Sequence, residues 1–235
     1  MPRLCRVLGR RSMAFVASSR TLKDLVKKSA EFPHMDALKM ATEDADPVFF
    51  TYKELDKQVN AFAEGIHEVG FKQRHSLVLW GHDCAENIVA QLGASKAGVR
   101  VKFLDATATD EQLITSLDDA RMLIVSPFVL PEEGSLKKIE ELVPEIKKKY
   151  RVNDNIIESA RFPALRFINN FGFERYPGML KFSHLMLYKR DRTNFSEDKF
   201  TEVQYVGNDT VQEFNLPYID SNVKMPVVPE AEDVC

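Results

Sequence analysis

Residues 50–127 read FTYKELDKQVNAFAEGIHEVGFKQRHSLVLWGHDCAENIVAQLGASKAGVRVKFLDATATDEQLITSLDDARMLIVSP, and this stretch decides the fold. Short apolar runs alternate in it with longer amphipathic runs. The apolar runs, at 48–50, 76–80, 99–104 and 122–125, fit buried strands, and the runs between them fit helices. This alternation predicts an α/β fold with a mainly parallel sheet, helices on both of its faces and right-handed crossovers.

Capping residues delimit the helices of this stretch. Thr51 and Glu54 have the spacing of a capping box, in which each side chain accepts a hydrogen bond from the other residue's backbone N–H. Gly70 then ends the first helix, and Gly98 ends a second helix over 86–97. Beyond residue 127, the pattern predicts a charged helix over 135–150 and a strand over 165–168.

The same stretch resembles the first subdomain of the AMP-forming acyl-CoA synthetases, the acyl-activating superfamily that includes luciferases and peptide-synthetase adenylation domains. In this family the subdomain opens with threonine and tyrosine, then two further residues and a leucine. In this chain the same pattern begins at Thr51. A lysine-alanine-glycine ends the next helix at Gly98, a loop like that of the family follows at 107–111, and MLIVSP comes at 122–127. The resemblance implies the family fold and ancestry, with a mainly parallel sheet, helices on both faces and a partial N-terminal subdomain.

A second resemblance covers FPALRFI at 162–168 and the segment that follows it up to Leu180. In the family, this segment precedes a loop of the type T-S-G-T-T-G-x-P-K-G, whose N–H groups, hydroxyls and lysine hold the ATP phosphates. With both resemblances, residues 21–190 correspond to about the first third of a family enzyme. The loop itself should then lie near 210–228, where the chain contains Asp220 and no glycine.

A second register places the loop earlier in the chain. Gly172, Pro177 and Ser183 fit the loop's own spacing. In this register, the positions that hold hydroxyls and the lysine in the family are occupied by Phe171, Phe173, Glu174 and Gly178. Either register lacks a phosphate cradle. The sequence therefore predicts no catalytic residue, no cofactor-binding residue, no metal ligand and no cofactor, and it predicts that the chain is not an enzyme.

The first twenty residues differ in composition from the rest of the chain. They include serines and no acidic residue, and they carry five arginines at positions 3, 6, 10, 11 and 20. This composition is typical of a mitochondrial presequence, and it predicts a location in the matrix or on the matrix face of the inner membrane. A basic tail that binds a partner or an anionic membrane is the alternative. Whether the leader is cleaved stays open.

The predicted organisation has three parts: a mitochondrial presequence at 1–20, an acyl-CoA-synthetase-like α/β domain at 21–190, and an irregular extension with an acidic tail at 191–235. An incomplete sheet exposes an edge and an apolar face that a partner must cover. The predicted partners are therefore protein subunits of a large mitochondrial complex, and no small-molecule substrate is expected.

Composition argues against several other classes of protein. The chain has 235 residues and a net charge of −3, and it shows no basic stripe with interleaved aromatic residues, so nothing indicates nucleic-acid binding. No apolar run approaches the ~18 residues of a transmembrane segment. The cysteines are Cys5, Cys84 and Cys235, without the close spacing of a zinc site or a disulfide framework.

These observations favour a non-catalytic accessory subunit of a mitochondrial assembly, such as a respiratory complex, the ATP synthase or the ribosome. One alternative is an acyl-CoA-binding or nucleotide-binding fragment of an acyl-CoA synthetase that acts with a separate chain. Another alternative is a metabolite sensor, in which the ancestral ligand site binds a metabolite but catalyses no reaction.

Overall fold

The computed structural model describes residues 13–16, 22–42, 45–81, 84–125, 134–148, 155–171, 176–191, 193–201 and 203–206. Within these ranges the chain forms a six-stranded sheet, a separate three-stranded sheet and five α-helices. The larger sheet contains the strands that the sequence predicts, and it carries the candidate site.

All pairings in the six-stranded sheet are parallel, and the strand order is β8-β7-β6-β4-β5-β9. The strands are β4 (Ser76–Trp80), β5 (Arg100–Leu104), β6 (Ala120–Val125), β7 (Phe167–Asn170), β8 (Leu180–Lys181) and β9 (Val203–Val206). Every residue of β4 is buried, as expected for a central parallel strand covered on both faces.

Helices cover both faces of this sheet. The helices are α1 (Leu22–Glu31), α2 (Tyr52–Glu68), α3 (Ala85–Lys96), α4 (Asp110–Leu117) and α5 (Gly134–Leu142). One buried apolar cluster joins Leu77 and Leu79 of β4 to α2 and α3, and a second joins Val78 and Trp80 to α4 and α5. Successive side chains of a strand point to opposite faces, so each face has its own core.

The α/β architecture with a mainly parallel sheet and helices on both faces is the predicted fold class, and it is confirmed. The capping box at Thr51 is present: its Oγ1 accepts a hydrogen bond from the backbone N–H of Glu54 at 3.3 Å, and Glu54 Oε2 accepts from the Thr51 N–H at 2.9 Å. The predicted helix over 135–150 is shorter, because α5 ends at Leu142 and a 3₁₀ helix follows over Pro144–Lys148. Proline lacks the N–H that would continue the α-helix.

An antiparallel sheet of β1 (Met13–Val16), β2 (Asp36–Thr42) and β3 (Ala45–Thr51) precedes α2. The sequence predicts only the end of β3, and it predicts a turn over 44–47 where the structure already begins β3 at Ala45. Strand β1 lies within the segment predicted as a presequence, whose residues 1–12 and 17–20 lie outside the described residues.

The chain after β8 returns across the helices to the other edge of the sheet. A 3₁₀ helix spans Phe182–Leu185, where the sequence predicts a short helix over 182–188. A further 3₁₀ helix spans Glu197–Lys199, and β9 then pairs in parallel with β5. Residues 193–201 and 203–206 of the predicted irregular extension thus lie against the α/β domain, while residues 207–235, which include the predicted acidic tail, lie outside the described residues.

Candidate functional site

The carboxyl ends of the parallel strands form one edge of the large sheet, which we call the carboxyl edge. Strands β4, β6 and β7 end there at Trp80, Val125 and Asn170, which lie at the same level of the sheet. Phe171, which directly follows β7, also lies at this edge, and residues 176–179 lead into β8. Ligands of open α/β sheets bind outside the carboxyl ends of the strands, so this edge is where a site is expected.

Three polar side chains at the carboxyl edge are buried with atoms that lack a hydrogen-bond partner. Asn169 is fully buried, and both its Nδ2 and its Oδ1 are unpartnered. Asn170 is 2 % exposed with an unpartnered Oδ1, and Trp80 is 3 % exposed with an unpartnered Nε1. Buried polar atoms without partners destabilise a fold, typically by about 1–3 kcal/mol for each group. Their concentration at one edge indicates a place where a bound molecule or water completes the hydrogen bonding.

These three polar side chains lie on both faces of the sheet. Trp80 and Asn170 lie on the face of α4 and α5, since they occupy equivalent positions on either side of Val125. Asn169 precedes Asn170 in β7 and therefore faces the α2 and α3 side. Amides and an indole N–H carry no charge, and so these groups suit the neutral polar parts of a ligand, such as a purine edge, a hydroxyl or an amide.

A cavity of about 260 Å³ lies beside the loop that follows β7. Tyr176 and Met179 of the loop line it together with Glu140 and Lys147, whose side chains form an ion pair of 3.0 Å. Met179 also connects the cavity to the buried asparagines, since its Sδ lies 4.0 Å from Asn170 Nδ2. Met179 thus joins an apolar, partly charged cavity to Asn170 on the α4 and α5 face of the sheet.

The structure describes only parts of the loop of the second sequence register. Phe171 directly follows β7 and donates its N–H to Val125 O at 3.1 Å, and Gly178 has a positive φ of 76° before β8. Residues 172–175, including Phe173 and Glu174, lie outside the described residues, as does the whole of 210–228, the first register. Ser183 follows in the 3₁₀ helix after β8.

Helix α2 holds the chain just after this loop. Gly65 lies so close to the loop's end that a Cβ built on it would stand 1.7 Å from Leu185 O. Two residues later, Leu187 donates its N–H to Ala61 O at 2.9 Å. Because both contacts are with the α2 backbone, α2 fixes where the loop re-enters the domain.

The buried Glu64 carboxylate holds the next part of the chain. It is 1 % exposed, it accepts hydrogen bonds from both the N–H and the Oγ1 of Thr193, and it lies 3.3 Å from Lys189 Nζ. Burial alone would raise the pKa of Glu64, but the hydrogen bonds from Thr193 and Lys189 outweigh it and lower that pKa below its usual value. The carboxylate is therefore ionised in the fold, and it fastens residues 189–193 to α2.

Sequence reasoning missed the polar groups of the carboxyl edge. It predicts no site residue, whereas Trp80 is buried with an unpartnered Nε1. The available signal was two consecutive asparagines at the end of an otherwise apolar strand. Among the described residues, no group of three or more histidine, cysteine, aspartate or glutamate side chains could hold a metal ion. None of the described helices combines the length and apolar character needed to cross a membrane.

Fold and site together define a class: α/β domains with an open, parallel sheet and a ligand loop at its carboxyl edge. A comparison with protein families agrees, because the model of the family described as AMP-binding enzyme matches residues 25–173. The chain belongs to the AMP-binding enzyme family. A comparison with curated proteins found no match.

Two solved structures with the same fold are an acetoacetyl-CoA synthetase and a protein assigned as a CoA ligase. The acetoacetyl-CoA synthetase of Streptomyces lividans superposes with a TM-score of 0.57 at 15% identity, over 75% of this chain and 26% of that one. A protein assigned as a long-chain-fatty-acid CoA ligase from Rhodopseudomonas palustris CGA009 gives a TM-score of 0.51 at 14% identity, over 81% of this chain and 39% of that one. The chain thus spans between about a quarter and two fifths of the length of these two structures.

The predicted resemblance to the N-terminal portion of an AMP-forming acyl-CoA synthetase is confirmed by these matches. The prediction that the chain is not an enzyme is wrong, because the family that it matches over 25–173 is one of enzymes. That prediction rested on one loop, which lacked hydroxyls and a lysine in both registers. A single loop, of which residues 172–175 lie outside the described residues, does not decide the chemistry of the chain.

Proposed function

We propose that this chain forms the amino-terminal part of an AMP-forming, acyl-activating catalytic unit of the acyl-CoA synthetase type. The observation that carries the proposal is Asn169, fully buried at the end of β7 with both amide atoms unpartnered, beside the loop at 171–179. The family match over 25–173 supports the same reading. In this proposal the carboxyl edge receives the neutral part of an adenine nucleotide.

The proposed reaction class is the activation of a carboxylic acid. The carboxylate oxygen attacks the α-phosphorus of ATP, the bond to the β-phosphate oxygen breaks, and pyrophosphate leaves with the electron pair. A thiol then displaces AMP from the acyl adenylate and forms a thioester. A positively charged cradle for the phosphates has to come from elsewhere in the catalytic unit, because Phe171 and Gly178 offer neither hydroxyl nor charge.

We also propose that additional polypeptide, either a separate protein or more of the same chain, completes this catalytic unit. In support, the chain spans about 26% and 39% of the two ligase structures with its fold. The edge strand β8 has only two residues, Leu180 and Lys181, and offers its open side to a further strand. The arginine-rich residues 1–20 favour a mitochondrial setting for that assembly.

Photolabelling with an azido analogue of ATP tests the nucleotide site in the assembly purified from cells that express the tagged full chain. We expect label on the peptides of the carboxyl edge and its displacement by ATP. Replacing Asn169 by leucine should abolish the displaceable label, because the amide atoms that meet the nucleotide are lost. The matched control is Asn155→Leu, which removes another unpartnered amide oxygen from a position before β7 and should keep the label.

Stability measurements separate loss of binding from loss of fold in this experiment. Leucine has the same branched arrangement of four side-chain heavy atoms as asparagine, although its methyl groups are bulkier, and it removes two buried unpartnered atoms, so Asn169→Leu should be at least as stable as wild type. A variant of undiminished stability that no longer binds supports the site. Label that ATP does not displace, or equal displaceable label in Asn169→Leu, would contradict the proposal.

The native size of the protein in a mild-detergent mitochondrial extract tests the proposed assembly. We expect migration with other proteins in a complex well above 26.8 kDa, the mass of the chain. Migration as a single chain, or absence of the protein from purified mitochondria, would contradict this part of the proposal.

A further inference from the structure

We propose that the amino-terminal edge of the large sheet carries a second site, which binds a phosphate-bearing ligand through Arg74, Arg100 and Lys199. This edge is opposite the carboxyl edge, so the site is separate from the proposed nucleotide site. A depression of about 510 Å³ lies there, lined by Gln73, Arg74, Gly98, Arg100, Lys199 and Thr201. Its lining contains three cationic residues and no acidic one.

Backbone contacts hold the walls of this depression in place. Arg100 donates its N–H to His75 O at 3.0 Å, which fixes the turn before β4 beside the start of β5. Thr201 donates its N–H to Ser95 O at 3.2 Å and its Oγ1 to Val99 O at 2.5 Å. The cationic side chains therefore project from an ordered frame that several hydrogen bonds define.

Because residue 98 is a glycine, the two walls of the depression lie close together. Gly98 has a positive φ of 74°, and a Cβ there would stand 3.0 Å from Lys199 O and 3.1 Å from Gln73 Cγ. Any larger residue would separate the two walls. The depression thus keeps Lys199 and Gln73 on opposite sides of a narrow floor.

The positive charge in the depression is only partly neutralised. One guanidinium nitrogen of Arg100 donates to Asp119 Oδ2 at 3.1 Å and to Arg74 O at 2.9 Å. The side chains of Arg74 and Lys199 are exposed and form no ion pair within the part of the chain that the structure describes. Two full charges are therefore available to a ligand.

Further cations lie near His75, whose backbone carbonyl accepts the Arg100 N–H. Burial lowers the pKa of His75, and the charges of Arg121 and Lys72 lower it further. Lys102 is paired with Asp119 at 2.5 Å. None of these three cations lines the depression, so the charges proposed to bind the ligand are those of Arg74, Arg100 and Lys199.

Arg74 adopts a backbone conformation that points to a role for its side chain. Its φ is 82°, and it is the one residue other than glycine with a positive φ among the described residues. This conformation costs an L-residue about 1–2 kcal/mol, and glycine would adopt it freely. Among the described residues the Arg74 guanidinium has no partner, and backbone strain at a residue with a free cationic group is the pattern expected where a side chain serves binding.

Phosphate fits these groups better than other anions. A guanidinium offers parallel N–H groups that bind two phosphate oxygens at once, and an ammonium adds a point charge. The volume of the depression matches that of small-molecule sites rather than the long grooves that hold nucleic acids. The chain's net charge of −3 also makes this patch a local feature.

Calorimetric titration of the full chain with inorganic tripolyphosphate at low ionic strength tests this site. We expect saturable binding that weakens at least roughly tenfold in the double variant Arg74→Gly and Lys199→Gln, because two charge-assisted contacts are lost. The control double variant Lys53→Gln and Lys137→Gln removes the same charge from exposed positions elsewhere and should bind normally. Glycine suits the backbone at position 74, and the single variant Lys199→Gln provides a second, less invasive comparison.

Two results would overturn the proposal: no saturable binding at millimolar tripolyphosphate, or equal weakening in the two double variants. Vesicles of phosphatidylcholine with and without phosphatidic acid then identify the source of the phosphate. Retention on vesicles with phosphatidic acid, lost in the Arg74 and Lys199 variant, indicates a lipid headgroup. Binding of tripolyphosphate without retention on the vesicles indicates a soluble phosphate ester.

Discussion

Replacing Gly65 by alanine should detach the chain that follows the carboxyl-edge loop from α2. A Cβ at this position would lie 1.7 Å from Leu185 O, 2.6 Å from its carbonyl carbon and 3.1 Å from its Cα. Ordinary Cβ contacts are longer than 3.0 Å, so Leu185 has to move by more than 1 Å. The obstacle is backbone and not the end of a flexible side chain, so no change of rotamer relieves it.

Two opposing effects determine the magnitude. Alanine favours a helix over glycine by about 1 kcal/mol, and this stabilises the variant. Displacing Leu185, which is 1 % exposed, costs about 1.5–3 kcal/mol, and losing the bond from Leu187 N–H to Ala61 O costs about 0.5–1.5 kcal/mol. The displacement therefore outweighs the helix propensity, and Gly65→Ala should lower the free energy of unfolding by about 1–3 kcal/mol.

Urea unfolding measures this loss, and limited trypsin digestion locates it. The bonds after Lys189 and Arg190 should be cut faster in Gly65→Ala, because residues 186–193 no longer pack on α2. Gly70→Ala is the control: its φ is 86° but nothing lies within 4 Å, so it adds backbone strain without displacing Leu185. An unchanged or higher stability of Gly65→Ala, with an unchanged digestion pattern, would show that the close approach of Leu185 to Gly65 does not stabilise the fold.

Three further predictions concern single side chains. Thr51→Ala removes the hydroxyl that accepts the Glu54 N–H, and it should lower the free energy of unfolding by about 1 kcal/mol in urea titration. Glu64→Gln should be less stable than wild type by roughly 1–2 kcal/mol at pH 7. The pKa of Glu64 is lowered in the fold from a usual value of 4.5. The difference in unfolding free energy between Glu64→Gln and wild type should therefore be present above pH 4.5 and vanish as the pH falls through the folded pKa. A difference that does not depend on pH would contradict this prediction. Arg74→Gly relieves a positive φ of 82° and should leave thermal stability equal to or up to about 1 kcal/mol above wild type, while a clear loss would show that the arginine side chain stabilises the fold.

Local signals made most of the large sheet predictable. Strand β4 has the predicted bounds, because five consecutive apolar or small residues lie between two turns. The capping box at Thr51 was readable because its two side chains act within three residues of each other. These features depend on nearby residues, and no distant contact overrides them.

Strand β2 escaped prediction because its pairing is irregular. Its register with β3 shifts between Asp36 and Leu38 and again between Met40 and Thr42. Irregularities of this kind break the alternation of apolar and polar residues, and in β2 the consecutive residues Ala37 and Leu38 are both buried. A period of two residues is therefore not visible in the sequence.

The candidate site depended on long-range packing. In the sequence, Asn169 and Asn170 resemble the exposed polar end of a strand. They are buried only because helices and loops pack around them in the fold. The path from Leu187 to Thr201 has no sequence period either, because its order comes from single contacts with α2 and α3, such as that of Glu64 with Thr193. Sequence periodicity does not report contacts of this kind.

Exchange of radiolabelled pyrophosphate into ATP, catalysed by the purified native assembly, tests whether the chain belongs to an acyl-activating catalytic unit. We expect exchange that depends on an added carboxylic acid and falls at least roughly tenfold with Asn169→Leu, because the amide proposed to contact the nucleotide is lost. Asn155→Leu should exchange at the wild-type rate. No acid-dependent exchange across short-chain, medium-chain and long-chain fatty acids, or an equal rate in Asn169→Leu, would rule out the proposed function.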